Sequence, residues 1–99
     1  MTFKISWHPE AKKEFNTLDE SIKKLVAKQI VKLERSPYLG EKLGNKQNMD
    51  LSEYRKVYAD KKKIRIVYKI KEDVIEVFII AIGEREDFLV YQDAFKRKN

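Results

Sequence analysis

The nine residues VIEVFIIAI, positions 74–82, put apolar side chains on both faces of an extended chain. A strand of that kind must be covered from both sides, so it belongs inside a sheet rather than at its rim. The segments before it supply neighbours. LSEYRKVYA (51–59) and IRIVYKI (64–70) read as strands, separated by the turn DKKK, and ED forms a tight turn before the apolar run. Three strands joined this closely pair as an antiparallel meander.

The amino-terminal half supplies cover. Phe3, Ile5 and Trp7 alternate with polar residues and mark a first strand. Pro9 and Glu10 suit the first turn of a helix, with Ala11, Phe15 and Leu18 at helical spacing. Asp19 is placed to cap a second helix, whose stripe is Ile22, Leu25, Val26, Ile30 and Leu33, and Ser36-Pro37 ends it. Residues 38–50 hold two glycines and two asparagines and read as a loop; residues 91–98 read as a short final helix. The expected fold is α+β, a helical hairpin packed on one face of a mainly antiparallel sheet, in the order β-α-α-β-β-β with a short C-terminal helix. The 99 residues fit a single domain, 1–99.

Composition removes several chemistries. Cysteine is absent, which excludes disulfides, a cysteine zinc site and a thiol nucleophile and fits a cytoplasmic protein. No signal peptide is visible, and the longest apolar run is too short to span a bilayer. His8 is the only histidine and, beside Pro9, reads as a helix cap or surface residue. Glu84, Glu86 and Asp87 are the one carboxylate cluster; such a group can hold Mg²⁺ but more often is a solvated turn or pairs with arginines. There is no phosphate-cradling glycine loop and no serine nucleophile motif. The expectation is no metal and no cofactor.

The net charge of +6 is concentrated. Residues 53–71 hold eight Lys/Arg against two Asp/Glu, whereas residues 72–99 carry a net −3. In residues 63–71, Ile64, Ile66, Tyr68 and Ile70 share one face, and Lys63, Arg65, Val67, Lys69 and Lys71 the other. If Val57 and Ala59 face the core, Tyr54, Lys56 and Tyr58 join the basic face and Arg55 does not; a bulge would exchange Arg55 for Lys56. Arg85 follows the apolar strand and should return near Lys63 and Arg65, with Tyr91 one loop later. Cations interleaved with tyrosines suit single-stranded nucleic acid, because cations hold phosphates and rings stack on bases. Such a face can also cut RNA, whose 2′-hydroxyl is a built-in nucleophile. Arginine forks hold the phosphate, and a tyrosine or lysine moves protons if cations lower its pKa.

Three pieces in order, the opening ISWHPEAKKEFNTL, the central EYRKVYADKKKIRIVYKI and the closing VFIIAIGEREDFLVYQDAFKR, with IRIVY and IGEREDFLVY the most specific parts, resemble the RelE/ParE superfamily of type II toxin–antitoxin toxins, in particular RelE-like mRNA interferases. The resemblance covers nearly the full length. It implies a ribosome-dependent, metal-independent endoribonuclease that cuts mRNA in the A site by 2′-hydroxyl attack, leaving a 2′,3′-cyclic phosphate. By motif it places Arg65 and Arg85 on the phosphate, and Tyr91 where it stacks on the substrate and assists proton transfer. Lys56 or Arg55 stands in the region of the family's lysines, one of which serves as general base. Arg55, Tyr58, Lys61, Lys62, Lys63 and Lys69 would bind RNA. Tyr58 departs from the family pattern, since many relatives have a basic residue there. The implied partners are a cognate acidic antitoxin, the ribosome and mRNA, and no membrane. The superfamily also holds ParE-like members that block DNA gyrase without nuclease residues, and a non-catalytic RNA- or antitoxin-binding relative is the third reading.

Overall fold

The computed structural model of the chain describes residues 2–84 and 88–98. Strand β1 (Lys4–Trp7) leads into helix α1 (Pro9–Asn16). His8 is the cap: its Nδ1 accepts the Glu10 N–H at 3.1 Å, and Pro9 occupies the first turn. Helix α2 (Glu20–Arg35) begins after Asp19, whose side chain makes no capping bond, and stops before a 3₁₀ turn at Pro37–Leu39. Four strands and a helix follow: β2 (Glu41–Lys46), β3 (Met49–Ala59), β4 (Ile64–Lys71), β5 (Glu76–Glu84) and α3 (Leu89–Arg97). The sheet order is β1-β5-β4-β3-β2, antiparallel throughout except that β1 runs parallel to β5. This is the expected α+β architecture, and the two-faced apolar strand β5 lies inside the sheet, between β1 and β4.

Two local features differ from the sequence reading. Residues 38–50 are not a loop but contain β2, joined to β3 by Gln47 and Asn48 at φ 47° and 68°. Positive φ at both central residues is the two-residue hairpin geometry, made here without the usual glycine. Gly44 (φ 64°) lies instead at the irregularity in the β2–β3 register. Second, the far side of the sheet is not an open cationic face, because α3 covers part of it.

Each face therefore has its own core. Val26, Ile30 and Leu33 of α2 and Ala11 of α1 pack on Val57, Ile66, Tyr68, Val77 and Ile79. Leu25, expected in the same stripe, is exposed and faces the groove beside β3. On the opposite face Val90, Tyr91 and Ala94 of α3 pack on Tyr54, Val67, Ile80 and Ala81. Between Val67 and Tyr68 the β4–β5 register shifts: Val67 pairs with Ala81, and Tyr68 with Ile79. That bulge turns both Ile80 and Ala81 toward α3 and returns Ile82 to the α1–α2 side, which is why the run reads as continuously apolar. Gly83 lets α3 approach, since a Cβ there would lie 3.0 Å from Val90 Cβ.

β1 pairs with β5 only as far as Ile79, so the next backbone groups of β5 need other partners. Glu14 Oε1 accepts the Ile82 N–H at 3.1 Å, and Arg97 Nη1 donates to the Ile80 carbonyl at 3.0 Å. Arg97 also makes a two-pronged bond to the Glu14 carboxylate, 2.9 Å at each prong. The pair clips α3 to α1 around the sheet edge in a largely buried site. Glu14→Gln should lower unfolding free energy by about 2 kcal/mol, the range for hydrogen bonds to charged groups. Urea denaturation measures this; an unchanged midpoint would show that the clip contributes nothing to stability.

Candidate active site on the α3 face of the sheet

The pairing of β3 with β4 builds the site. Tyr58 stands opposite Arg65, Lys56 opposite Val67, and Tyr54 opposite Lys69. These residues share the α3 face, because Val57, Ala59, Ile64 and Ile66 point into the other core. Lys56 Nζ donates to Tyr58 Oη at 2.8 Å, with its ammonium 4.9 Å from the Tyr58 ring centre. α3 adds Tyr91, whose ring lies beneath the Arg65 guanidinium, 4.4 Å from its central carbon. Phe88 meets the Tyr91 ring edge-on, and Lys46 of β2 lies 5.7 Å from its centre. Stacking on an aromatic face fixes the guanidinium plane while leaving its N–H fork for an anion. Arg65 Nε is buried and has no hydrogen-bond partner among the described residues.

The cations change the phenol chemistry. The Lys56 ammonium, bonded to Tyr58, lowers the Tyr58 hydroxyl to about 8; burial opposes this and Arg65 adds to it. About one phenol in ten is then ionised at pH 7, against about one in a thousand at the ordinary value near 10. Burial alone would lower Lys56, but the Tyr58 and Tyr91 phenols outweigh it and hold the ammonium above its usual range. Lys56 therefore stays charged at neutral pH. Tyr54, on the same face but buried, is pushed the other way, up to about 12.

Lys56, Tyr58, Arg65 and Tyr91 thus come together. Arg55 does not join them: it lies on the opposite face, donating to the Gly40 carbonyl at 2.8 Å with its guanidinium near the Tyr38 ring. No irregularity interrupts the β3–β4 register, so Lys56 keeps the site side of the strand. Lys69 is on the α3 face but four residues along β4 from Arg65, roughly 13 Å, and sits 3.6 Å from Glu53. Lys61 and Lys62, with Asp60, form a turn of three successive left-handed residues (φ 52–70°) and line the groove beside Lys56 and Tyr58, whereas Lys63 lies in a pocket with Ile22 and Glu84. Arg85, Glu86 and Asp87 lie outside the described residues.

Three contributions escaped the sequence reading. Tyr91 is almost fully buried at 3% exposure rather than an open stacking surface, so a base reaches its ring only if its covering moves. Lys46 belongs to a strand that was read as loop. A groove along the free edge of β3, next to Tyr58, is lined by Lys28 and Lys32 of α2 together with Lys56, Lys61 and Lys62. The spacing of Lys28 and Lys32, one helical turn apart, was the available signal.

A family model described as ParE-like toxin of type II bacterial toxin-antitoxin system matches residues 5–94. The mRNA interferase toxin RelE of Escherichia coli K12 is 27% identical over 97 residues, covering 98% of both chains, and the mRNA interferase RelE of Shigella flexneri matches equally well. Among solved structures, an arginine double mutant of E. coli toxin RelE in the free state superposes with a TM-score of 0.80 at 26% identity, covering 98% of each chain. The toxin of the intact E. coli RelBE toxin-antitoxin complex shares the fold, with a TM-score of 0.70 at 21% identity over 86% of this chain and 99% of that one.

The electrostatics give a direct test. In a pH titration followed by tyrosine NMR, Tyr58 should ionise with a midpoint near 8 and Tyr54 only near 12. Lys56→Met should move the Tyr58 midpoint upward, toward 10. A wild-type midpoint already near 10 would contradict the coupling.

Proposed function

The chain belongs to the ParE-like toxin family of type II bacterial toxin–antitoxin systems, and we propose that within it this protein is an mRNA interferase. It is a metal-independent endoribonuclease of the cytoplasm, acting as one domain over residues 1–99. Its substrate is mRNA in the ribosomal A site. The observation that carries this reading is the gathering of Lys56, Tyr58, Arg65 and Tyr91 on one sheet face. Near full-length similarity to two proteins named mRNA interferases supports it.

The reaction needs little beyond positioning and charge. The 2′-hydroxyl attacks the adjacent phosphorus, and negative charge grows on the equatorial phosphate oxygens. Arg65 meets that charge with a fork already oriented by the Tyr91 ring. Arg85, carried over from the motif IGER, is proposed as the second arginine. Lys61, Lys62 and Lys63, with Lys28 and Lys32 along the groove, steer the RNA backbone. A cognate acidic antitoxin is the proposed partner, since a family toxin with a +6 charge needs an anionic cover.

The ParE-like description of the family supports a second reading, inhibition of DNA gyrase without RNA cleavage. Primer extension on mRNA in a cell-free translation reaction separates the two. Wild-type protein should cut at A-site codons, only with ribosomes present, and Arg65→Ala should lose about 100-fold or more of that activity. Intact mRNA with defective supercoiling would instead establish the gyrase reading.

A further inference from the structure

Resting on the nuclease reading above, we propose that Tyr58 is the group that accepts the proton from the attacking 2′-hydroxyl. Among the described residues, the other candidates are unsuited. Lys56 as an ammonium has three donors and no acceptor, and Arg65 has no acceptor at any working pH. Tyr91 is buried under Arg65, and Tyr54 is buried against α3. Tyr68 lies on the other face, its hydroxyl donating to the Pro37 carbonyl and accepting the Gly40 N–H. The Nδ1 of His8 is engaged in capping α1.

Tyr58 has what these lack. Its side chain is partly exposed on the site face, directly opposite the arginine that would hold the phosphate. A 2′-oxygen is a neighbour of the phosphate it attacks, so a base beside the phosphate-binding arginine is correctly placed. Among the described residues, the charged groups that shift it are Lys56 on its own strand and Arg65 across the pair; Tyr91 of α3 shares the Lys56 ammonium, and Lys28, Lys32, Lys61 and Lys62 line the groove beside it. With the Tyr58 hydroxyl held near 8, a useful fraction is phenolate at neutral pH.

The step balances without a further reactant. The phenolate oxygen takes the 2′-hydroxyl proton, and the 2′-oxygen forms a bond to phosphorus. The bond from phosphorus to the 5′-oxygen breaks, its electron pair staying on that oxygen, which takes a proton from solvent. Tyr58 then returns its proton to solvent.

The test is ribosome-dependent cleavage measured against pH, under conditions where cutting limits the rate. Wild-type cutting should rise with hydroxide concentration below about pH 8 and level off above it. Tyr58→Phe keeps the ring and should lose about 100-fold or more, together with the pH-dependent rise. Replacement of Tyr58 alone by 3-fluorotyrosine, whose phenol is more acidic at almost unchanged size, should move the levelling point to lower pH. That second variant decides the matter if Tyr58→Phe melts early. An unchanged rate and profile in Tyr58→Phe, or an unmoved levelling point with fluorotyrosine, would overturn the role of Tyr58 alone. No cutting by the wild type would overturn the nuclease reading, and the role with it.

Discussion

The site depends on one register. β3 and β4 pair so that Tyr58 faces Arg65 and Lys56 precedes it by one pleat repeat. A slip of one residue would send Lys56 and Tyr58 into the apolar core and bring Arg55 to the α3 face. Burial fixes the register, because Val57, Ala59, Ile64 and Ile66 can be covered by the helical hairpin in only one alignment. The stability of one face therefore determines the chemistry of the other.

The second constraint is α3. Without it, Val67, Ile80 and Ala81 would be open to water and Tyr91 would have no fixed place. Gly83 allows the close approach, and the Arg97–Glu14 clip holds the far end of the helix against the sheet edge. Tyr91 is then held by packing, and Arg65 is held by Tyr91. Three successive left-handed residues at Asp60, Lys61 and Lys62 add strain next to this cluster, of order 1 kcal/mol each for side chains other than glycine. The fold accommodates that strain where cations are presented.

Much of the architecture was legible because it is periodic. The alternation in residues 63–71 separated Ile64 and Ile66 from Arg65, and the same parity preferred Lys56 to Arg55. The two-faced run at 74–82 placed β5 inside the sheet. β2 was not legible, because EKLGNK has one apolar residue and its turn uses Gln47 and Asn48 rather than glycine. The final helix was expected, but its cover of the second face was not: the range 91–98 leaves out Val90, which completes the buried stripe of Val90, Tyr91 and Ala94. The chemistry of Tyr58 was invisible to spacing alone. It arises from a hydrogen bond with Lys56 two residues away and a cross-strand arginine, and only the paired sheet brings both to the phenol.

In the proposed reaction this face uses the RNA's own 2′-hydroxyl as nucleophile. The most direct measurement programmes ribosomes with mRNA carrying a single 2′-deoxynucleotide at the A-site position that the protein cuts. The protein should still bind these ribosomes but leave that linkage intact, while the all-ribose message is cut to a 2′,3′-cyclic phosphate end. Cleavage at the deoxy position would contradict it, since the nucleophile would then have to come from water or the protein.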